Sequence, residues 1–263
     1  MKIDKFIKTM QEIAPDYLKE SYDNVGLMVG DKNSNVTKIL VALDCTLDVI
    51  EEAKLVGAQL ILSHHPLIFK KPSSITTDTL LGKKIIELIK NDISLYSSHT
   101  NWDSVKGGIN DEFVAYLGFN SNSIIEINSL DNSAGIGRLV DVEEEMTLDK
   151  VIKIVKEKLN LETVRFSGDL NKTIKRIAFI NGSGQSFMER AYNDGADLII
   201  TGDTTYHFVS DYNEMGLAII DVGHFNSEWP IVKKLSEKVK EALKDEEIEI
   251  VIAKSVRDPY CYF

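Results

Sequence analysis

The chain has 263 residues, of which 27% are charged and 43% are hydrophobic, a balance typical of folded globular proteins. This length suits one large α/β domain or two intimately packed halves. The formal net charge is −11 at pH 7 and no dense cluster of lysine and arginine occurs, so binding to nucleic-acid phosphates is unfavourable.

Targeting and redox features point to the cytoplasm. No apolar stretch reaches the roughly 20 residues that span a bilayer. The N-terminus has the apolar spacing of an amphipathic helix and not the pattern of a signal peptide. The two cysteines, Cys45 and Cys261, form no CxxC pair and predict neither a disulfide framework nor a thiolate zinc site. We therefore expect a cytoplasmic protein with no nucleic-acid or membrane partner.

Strand-like apolar runs alternate with amphipathic segments along most of the chain. This βαβα rhythm predicts an α/β fold with largely parallel sheets covered by helices. The predicted strands are residues 39–43, 60–62, 93–96, 177–180, 198–200 and 217–220, and helices are predicted at 47–56 and 185–193.

The two halves of the sequence resemble one another. Residues 57–63 (GAQLILS) align with residues 195–201 (GADLIIT), and the preceding strands and Ala53 and Ala191 align in the same register. After an extra loop in the first half, His99 aligns with His224 and Asp103 with Glu228. Internal duplication therefore predicts two similar α/β halves, residues 1–120 and 121–263, packed as one unit. The charged run DVEEE at 141–145, between the repeats, is expected to form a turn.

Every histidine of the chain falls in a candidate site segment. Most of these segments follow a predicted strand, and ligands of open parallel sheets bind beyond the carboxyl ends of the strands. The five are His64 and His65 in ILSHHPLIF, His99 in LYSSHTNWD, His207 in TGDTTYHF, and His224 in IIDVGHFNSE.

Structural roles are the alternative for each of these residues. A single histidine at a strand end is more often a hydrogen-bonded structural residue than a ligand, although an adjacent pair shifts that balance. The spacing of His224 and Glu228 could form a solvent-facing pair on a helix. However, Ser227 has the character of a helix N-cap, which would put both residues at the mouth of the sheet. Asp103 could equally cap a loop.

Together, His64, His65, Asp103, His224 and Glu228 suit zinc, iron, manganese or nickel better than calcium. Five protein ligands exceed what one catalytic zinc ion takes, so the set predicts two divalent metal ions bridged by a carboxylate or water. Glu228 is the favoured bridge because its side chain is longer. The acceptors available for the remaining imidazole nitrogens are Asp23, Asp203 and Asp221.

The sequence resembles the GTP cyclohydrolase I type 2 homolog family, also called the NGG-one-interacting-factor-three-like family of dinuclear-metal proteins. The matching segments run in order through the whole chain. They are SYDNVGLMVGD (21–31), ILSHHPLIF, YSSHTNWDSVKGGIND (96–111), GIGRL (135–139), TGD (201–203), DVGHFNSE (221–228) and SVRDPY (255–260).

The resemblance implies more than spacing does. It implies two metals bound at the five positions named above, two similar α/β halves, and a toroidal homo-hexamer whose sites face an internal cavity. Longer members carry an inserted domain, which this chain is too short to hold. Tyr22 stands where the family usually has Trp, and Asp203 stands where Glu is common. Tyr206 and His207 match the pattern only loosely.

Three functions fit these residues. A metal-dependent hydrolase would use the ions to activate water, with His99 or His207 as general acid or base. The family name suggests attack on the purine of GTP, and the Gly182-Ser183-Gly184 turn could bind a phosphate or be a plain tight turn. The alternatives are a metal-trafficking or scaffold protein without turnover, and a phosphoesterase or other ring-opening hydrolase.

Overall fold

The structure is a computed structural model that describes residues 1–121 and 123–261. Within this part of the chain no helix is long and apolar enough to cross a membrane. The α-helices are α1 (Ile3–Ile13), α2 (Leu47–Val56), α3 (Leu80–Lys90), α4 (Thr100–Ser104), α5 (Ile109–Tyr116), α6 (Leu148–Leu159), α7 (Met188–Asn193), α8 (Tyr206–Glu214) and α9 (His224–Ala242). The strands are β1 (Gly26–Val29), β2 (Lys38–Ala42), β3 (Leu60–Ser63), β4 (Ser94–Ser97), β5 (Ser123–Asn128), β6 (Asp131–Thr147), β7 (Arg165–Ser167), β8 (Thr173–Ser183), β9 (Leu198–Gly202), β10 (Ala218–Asp221) and β11 (Glu249–Ile252).

The chain groups into two compact units. Unit 1 comprises residues 1–102 and the segment from residue 232 onward, and unit 2 comprises residues 103–231. The predicted boundary at residue 120 is based on the sequence repeat, whereas the two units are defined by contacts within the structure. Asp103 consequently falls in unit 2, and α9 begins in unit 2 and ends in unit 1.

Unit 1 is built on a five-stranded sheet in the order β1-β4-β3-β2-β11. Its three central strands, β2, β3 and β4, were predicted from the sequence and pair in parallel. β11 extends this parallel set, and β1 closes the other edge in antiparallel orientation. The central strands are mostly apolar and almost completely buried, and α2 and α3 contribute buried residues to the core of the unit.

Unit 2 has a six-stranded sheet in the order β5-β6-β8-β9-β10-β7. The predicted strands β8, β9 and β10 again pair in parallel. Antiparallel strands flank them on both sides, so the sheet as a whole is mixed. Those additional strands, β5, β6 and β7, lie in the segment between the repeats.

The aligned joints of the two halves have the same backbone structure. Gly57 and Gly195 are both left-handed, with φ of 71° and 82°, a conformation that glycine adopts without strain. The alanine after each glycine donates its N–H to an aligned carbonyl, that of Ala53 at 2.8 Å and that of Ala191 at 3.0 Å. The repeat seen in the sequence is therefore a repeat of hydrogen bonding.

A polar residue completes the joint in each unit. The side chains of Gln59 and Asp197 each accept two consecutive backbone N–H groups from the strand before the joint. The donors are Thr37 and Lys38 to Gln59 Oε1, at 2.9 and 3.0 Å, and Lys175 and Arg176 to Asp197 Oδ2, at 2.8 and 2.9 Å. An amide and a carboxylate thus perform the same task at aligned positions.

Two local predictions were wrong. The DVEEE run is part of β6 and not a turn: Asp141 pairs with Arg176 of the neighbouring β8, and the register shifts before pairing resumes at Met146. Asp141 and Glu145 also form ion pairs with Arg176 and Lys175 of β8. Ser227 is not an N-cap, because α9 already begins at His224 and carries Pro230 in its interior. The Ser227 hydroxyl instead donates to the His224 carbonyl at 2.8 Å and accepts the N–H of Gly182 at 2.8 Å.

An ion pair between the buried Arg138 and the partly buried Asp111 joins β6 to α5 inside unit 2. The guanidinium of Arg138 donates to both carboxylate oxygens of Asp111, at 2.6 and 2.9 Å, and to the carbonyls of Gly135 and Gly137. Burial raises the pKa of Asp111, but the hydrogen bond and positive charge of Arg138 outweigh it and lower that pKa below its ordinary value. Asp111 therefore stays ionised in the folded protein.

Replacing Asp111 with Asn should destabilise the protein by about 3 kcal/mol at pH 7, because it leaves a buried guanidinium without its counter-charge. The wild-type carboxylate stabilises the fold fully above its unfolded pKa of about 4. This contribution is lost as the pH falls through the lower pKa of the folded state. Urea unfolding should therefore show a difference between wild type and D111N that shrinks below about pH 4.

Asp131→Asn is the matched control, since Asp131 also has a lowered pKa but its hydrogen bonds are made at the surface to Ser133. Its effect at pH 7 should be much smaller. A D111N deficit of the same size at both pH values would contradict the ion-pair assignment.

Candidate metal centre

Three imidazoles meet at the carboxyl edge of the sheet in unit 1. His64 and His65 follow β3 and His99 follows β4, and these two strands are parallel neighbours. The ring centroid of His64 lies 5.1 Å from those of both His65 and His99, which are 5.7 Å apart. One nitrogen from each ring lies within 4.8 Å of the others, a spacing at which one ion could contact all three.

Each of these rings is oriented through Nδ1. The Nδ1 atoms of His64, His65 and His99 each lie 2.9 Å from an oxygen, namely the Ser98 carbonyl, Asp44 Oδ1 and Asp23 Oδ1 respectively. An acceptor at Nδ1 holds the proton there, so that Nε2 carries the lone pair that a metal accepts. Metal-binding histidines commonly have this arrangement.

Asp23 is held as a carboxylate. Burial raises its pKa, but hydrogen bonds from His99 and Thr100 and the charge of His99 outweigh burial and lower the pKa to about 2. The backbone N–H and the hydroxyl of Thr100 donate to its Oδ2, the former at 3.1 Å and the latter at 2.5 Å. Asp23 is therefore a fixed negative charge behind the His99 ring.

Two carboxylates share one amide group in unit 2. The Nδ2 of Asn181 donates to Asp103 Oδ1 at 2.9 Å and to Glu228 Oε1 at 3.0 Å. An amide nitrogen has two hydrogens, so each carboxylate receives one. Asp103 and Glu228 are 7% and 2% exposed, and buried carboxylates usually pair with cations or coordinate metals.

His224 lies beside this carboxylate pair. Its Nε2 is 3.0 Å from Glu228 Oε2, one turn further along α9, and its Nδ1 is 2.8 Å from Asp203 Oδ2. Asp203 has a left-handed backbone, with φ of 53°, which aspartate tolerates better than most residues. The His-x3-Glu spacing is thus a helical pair, but Glu228 points inward and not to solvent.

Two glycines make room for this group. A β-carbon at Gly182, where φ is 59°, would clash with Glu228 Oε1 and lie 3.3 Å from His224 Nε2. A β-carbon at Gly202 would lie 2.6 Å from the backbone nitrogen of His224. The imidazole of His224 and the carboxylates of Asp103 and Glu228 are ligand types that suit a divalent transition metal.

The Gly182-Ser183-Gly184 segment is not a phosphate-binding turn. The N–H of Gly182 donates to Ser227 Oγ at 2.8 Å, and that of Gly184 donates to Thr201 Oγ1 at 2.9 Å. Only a short 3-10 helix and the six-residue α7 follow the segment. Gly182 allows the close approach of α9, and Gly184 allows the close approach of Thr201.

The remaining predicted residues have different positions. His207 is exposed on α8, where its ring lies 5.4 Å from that of Tyr206, and it belongs to neither histidine group of the described residues. Asp203 is an acceptor for an imidazole, as Asp23 is. Asp221 instead accepts the N–H of Gly223 at 2.9 Å and does not contact a ring nitrogen by a described hydrogen bond.

Sequence reasoning missed Asp44 and Asn181. Asp44 follows β2 by two residues, so the rule that places groups beyond parallel strands applied to it as well. Asn181 is an amide within the apolar run of β8, and a buried amide requires partners there. The sequence shows both as polar residues near the carboxyl ends of strands. It does not show which residues they bond to.

Known proteins resemble this chain along its whole length. The sequence model described as Duf34/NIF3 (NGG1p interacting factor 3) matches residues 1–259. Relatives named "GTP cyclohydrolase 1 type 2 homolog" from Clostridium perfringens and Clostridium acetobutylicum are 61% and 51% identical; the alignments cover 99% of this chain and 99% and 98% of theirs. The crystal structure of a Staphylococcus aureus hypothetical protein superposes with a TM-score of 0.91 at 32% identity, covering 100% of this chain and 99% of that one. Sequence and fold agree, and the chain belongs to the Duf34/NIF3 family.

Proposed function

We propose that this chain binds two divalent metal ions through His64, His65, Asp103, His224 and Glu228 and uses them to hydrolyse a small molecule. The observation that carries the proposal is the paired arrangement in unit 2, where two buried carboxylates are held on one amide beside an imidazole. The imidazole group of unit 1, with every Nδ1 hydrogen-bonded to oxygen, supports it independently. The toroidal hexamer and the cytoplasmic location implied by the sequence are part of the same proposal.

Bound metal ions would act as Lewis acids and lower the pKa of water towards neutrality. The chain's own residues would then move protons. His99 is the favoured general acid–base group, because Asp23 lies 2.9 Å from its Nδ1 and fixes the orientation of the ring, which leaves Nε2 to exchange a proton. His99 is also close enough to His64 and His65 to serve as a third imidazole ligand. His207 is the second candidate, and its exposure requires that it act from outside the group.

Protein purified without added metal should contain about two metal ions per chain by mass spectrometry. His64→Ala and Glu228→Ala should each lower this content, because each removes a direct ligand. His207→Ala is the matched control and should keep the wild-type content. Wild-type protein without metal, or variants that keep full content, would contradict the metal site.

Asn181→Ala should weaken metal binding about 10- to 100-fold, because the amide orients two ligands without being one itself. Titration calorimetry with Mn²⁺ on metal-stripped protein measures this directly. Asn213→Ala, at an exposed position of α8, is the matched control. Equal affinities for N181A and N213A would show that Asn181 has no orienting role.

The names of the relatives suggest GTP as the substrate. In such a reaction one water would open the imidazole ring of the purine at C8 to give a formamide, and a second would release formate. The protein with added zinc, iron, manganese or nickel should then release formate from GTP. Asp103→Ala should abolish the release, and Asp131→Ala should not.

Absence of formate with all four metals would exclude the cyclohydrolase. Turnover of phosphoesters or cyclic amides instead would favour the other hydrolase classes. Full metal content without any turnover would favour metal trafficking. The exposure of two of the proposed ligands favours metal trafficking as the second candidate function. The side chains of His65 and His224 are 21% and 32% exposed.

A further inference from the structure

A pocket of about 380 Å³ lies in unit 2, apart from the residues proposed as metal ligands. It lies at the carboxyl end of β10, between that strand, the antiparallel edge strand β7, and the start of α8. This volume is in the range of pockets that bind small molecules. Its lining includes Arg165, Phe166, Thr204, Tyr206, Val209 and Asp221.

The secondary structure explains why these side chains meet. Arg165 and Asp221 are directly opposed in the β7–β10 pair, so their side chains share one face of the sheet. Tyr206 and Val209 are three residues apart on α8 and therefore share one face of that helix. The pocket is the space between these two faces.

Asp221 forms the polar end of the pocket and is 4% exposed. Its Oδ2 accepts from Arg165 and from both the backbone N–H and the hydroxyl of Thr204, at 3.0 and 2.6 Å. Its Oδ1 accepts the N–H of Gly223. Asp221 thus has three hydrogen-bond donors besides Arg165: the N–H and hydroxyl of Thr204 and the N–H of Gly223.

Arg165 is suited to binding an anion. Its side chain is 70% exposed, and its described hydrogen bond to Asp221 uses one terminal nitrogen. A guanidinium has five N–H donors in a planar fork, which matches the oxygens of a carboxylate, sulfonate or phosphate. The buried Asp221 holds the fork at the pocket.

An aromatic ring is exposed at the same place. Tyr206 is 79% exposed, although large apolar side chains are usually buried. Flat aromatic surfaces beside a guanidinium favour ligands that are themselves flat, because stacking adds to the charge interaction. Val209 supplies an aliphatic wall.

From this arrangement we propose that the pocket binds a planar aromatic ligand that carries an anionic group, with Arg165 on the anion and Tyr206 on the ring. The pocket borders the metal-ligand group through two links. Thr204 follows Asp203, the acceptor for His224, and Asp221 accepts the N–H of the residue before His224. The proposal goes beyond the metal site and does not depend on it.

Naphthalene-2-sulfonate is the probe, since it is planar and anionic and its sulfonate is a weak metal ligand. Titration calorimetry on metal-stripped protein should give a dissociation constant of about 1 mM or tighter. The neutral analogue 2-(methylsulfonyl)naphthalene and the non-aromatic cyclohexanesulfonate should each bind at least about fivefold more weakly.

Arg165→Gln should weaken the probe about tenfold, because it removes a charge-assisted contact. Arg165→Lys should be intermediate, and Tyr206→Ala should weaken binding about threefold. Arg190→Gln is the matched control, because Arg190 is also exposed in unit 2 and paired with a carboxylate, Asp194. Thermal unfolding of each variant shows whether the fold is intact.

The proposal is overturned if the folded wild-type protein does not bind the probe, if the neutral analogue binds equally well, or if R165Q and R190Q bind alike. Because metal is absent throughout, these outcomes are independent of the metal-content measurement. Binding that persists in Glu228→Ala would place the ligand in the pocket and not at the metal ligands.

Discussion

The burial of charge at one edge of the sheet in unit 2 governs the surrounding structure. Asp103 and Glu228 are almost inaccessible to water, and removing a carboxylate from water costs several kcal/mol unless it is compensated. Asn181 compensates part of this cost for both residues with one amide group. A divalent cation beside His224 would supply the charge that a neutral amide cannot.

The supports of this group extend into the fold. Asn110 donates from its side chain to the Asp103 carbonyl at 3.2 Å and accepts the backbone N–H of Asn181 at 3.3 Å. The next residue, Asp111, is held by the buried Arg138. The GIGRL segment, which carries no proposed ligand, therefore secures the helix that positions one. This connection gives a physical reason for a motif that the sequence resemblance alone leaves unexplained.

Unit 1 places imidazole rings at the carboxyl edge of its sheet. His64 is completely buried, and His99 is backed by an ionised aspartate. Hydrogen bonds at every Nδ1 determine the tautomer of each imidazole before any metal binds, so less orientational freedom is lost on binding. The use of a carbonyl for one ring and carboxylates for the other two makes the three imidazoles electronically different.

The repeated apolar pattern was sufficient to predict the parallel strands β2, β3 and β4 and their counterparts β8, β9 and β10, because strands buried on both faces are rich in apolar residues. It also predicted the matching joints at Gly57 and Gly195, since few residues other than glycine adopt a left-handed backbone. The pattern failed for β6. In its acidic run Asp141 pairs with Arg176 of β8 and the register then shifts before Met146, while the acidic side chains stay in water. An exposed, highly charged stretch has no apolar alternation by which a strand can be recognised.

The types of the candidate ligands followed from sequence, because histidine and carboxylate side chains beyond strand ends are recognisable one at a time. Their partners were decided by tertiary structure. Asn181 lies 78 residues from Asp103 and 47 from Glu228, and no local rule relates such positions. The start of α9 at His224, and not after Ser227, was also a tertiary outcome, because Gly182 of β8 occupies the Ser227 hydroxyl that a local cap would have used. The sequence determined which groups were available, and packing between distant segments determined which of them meet.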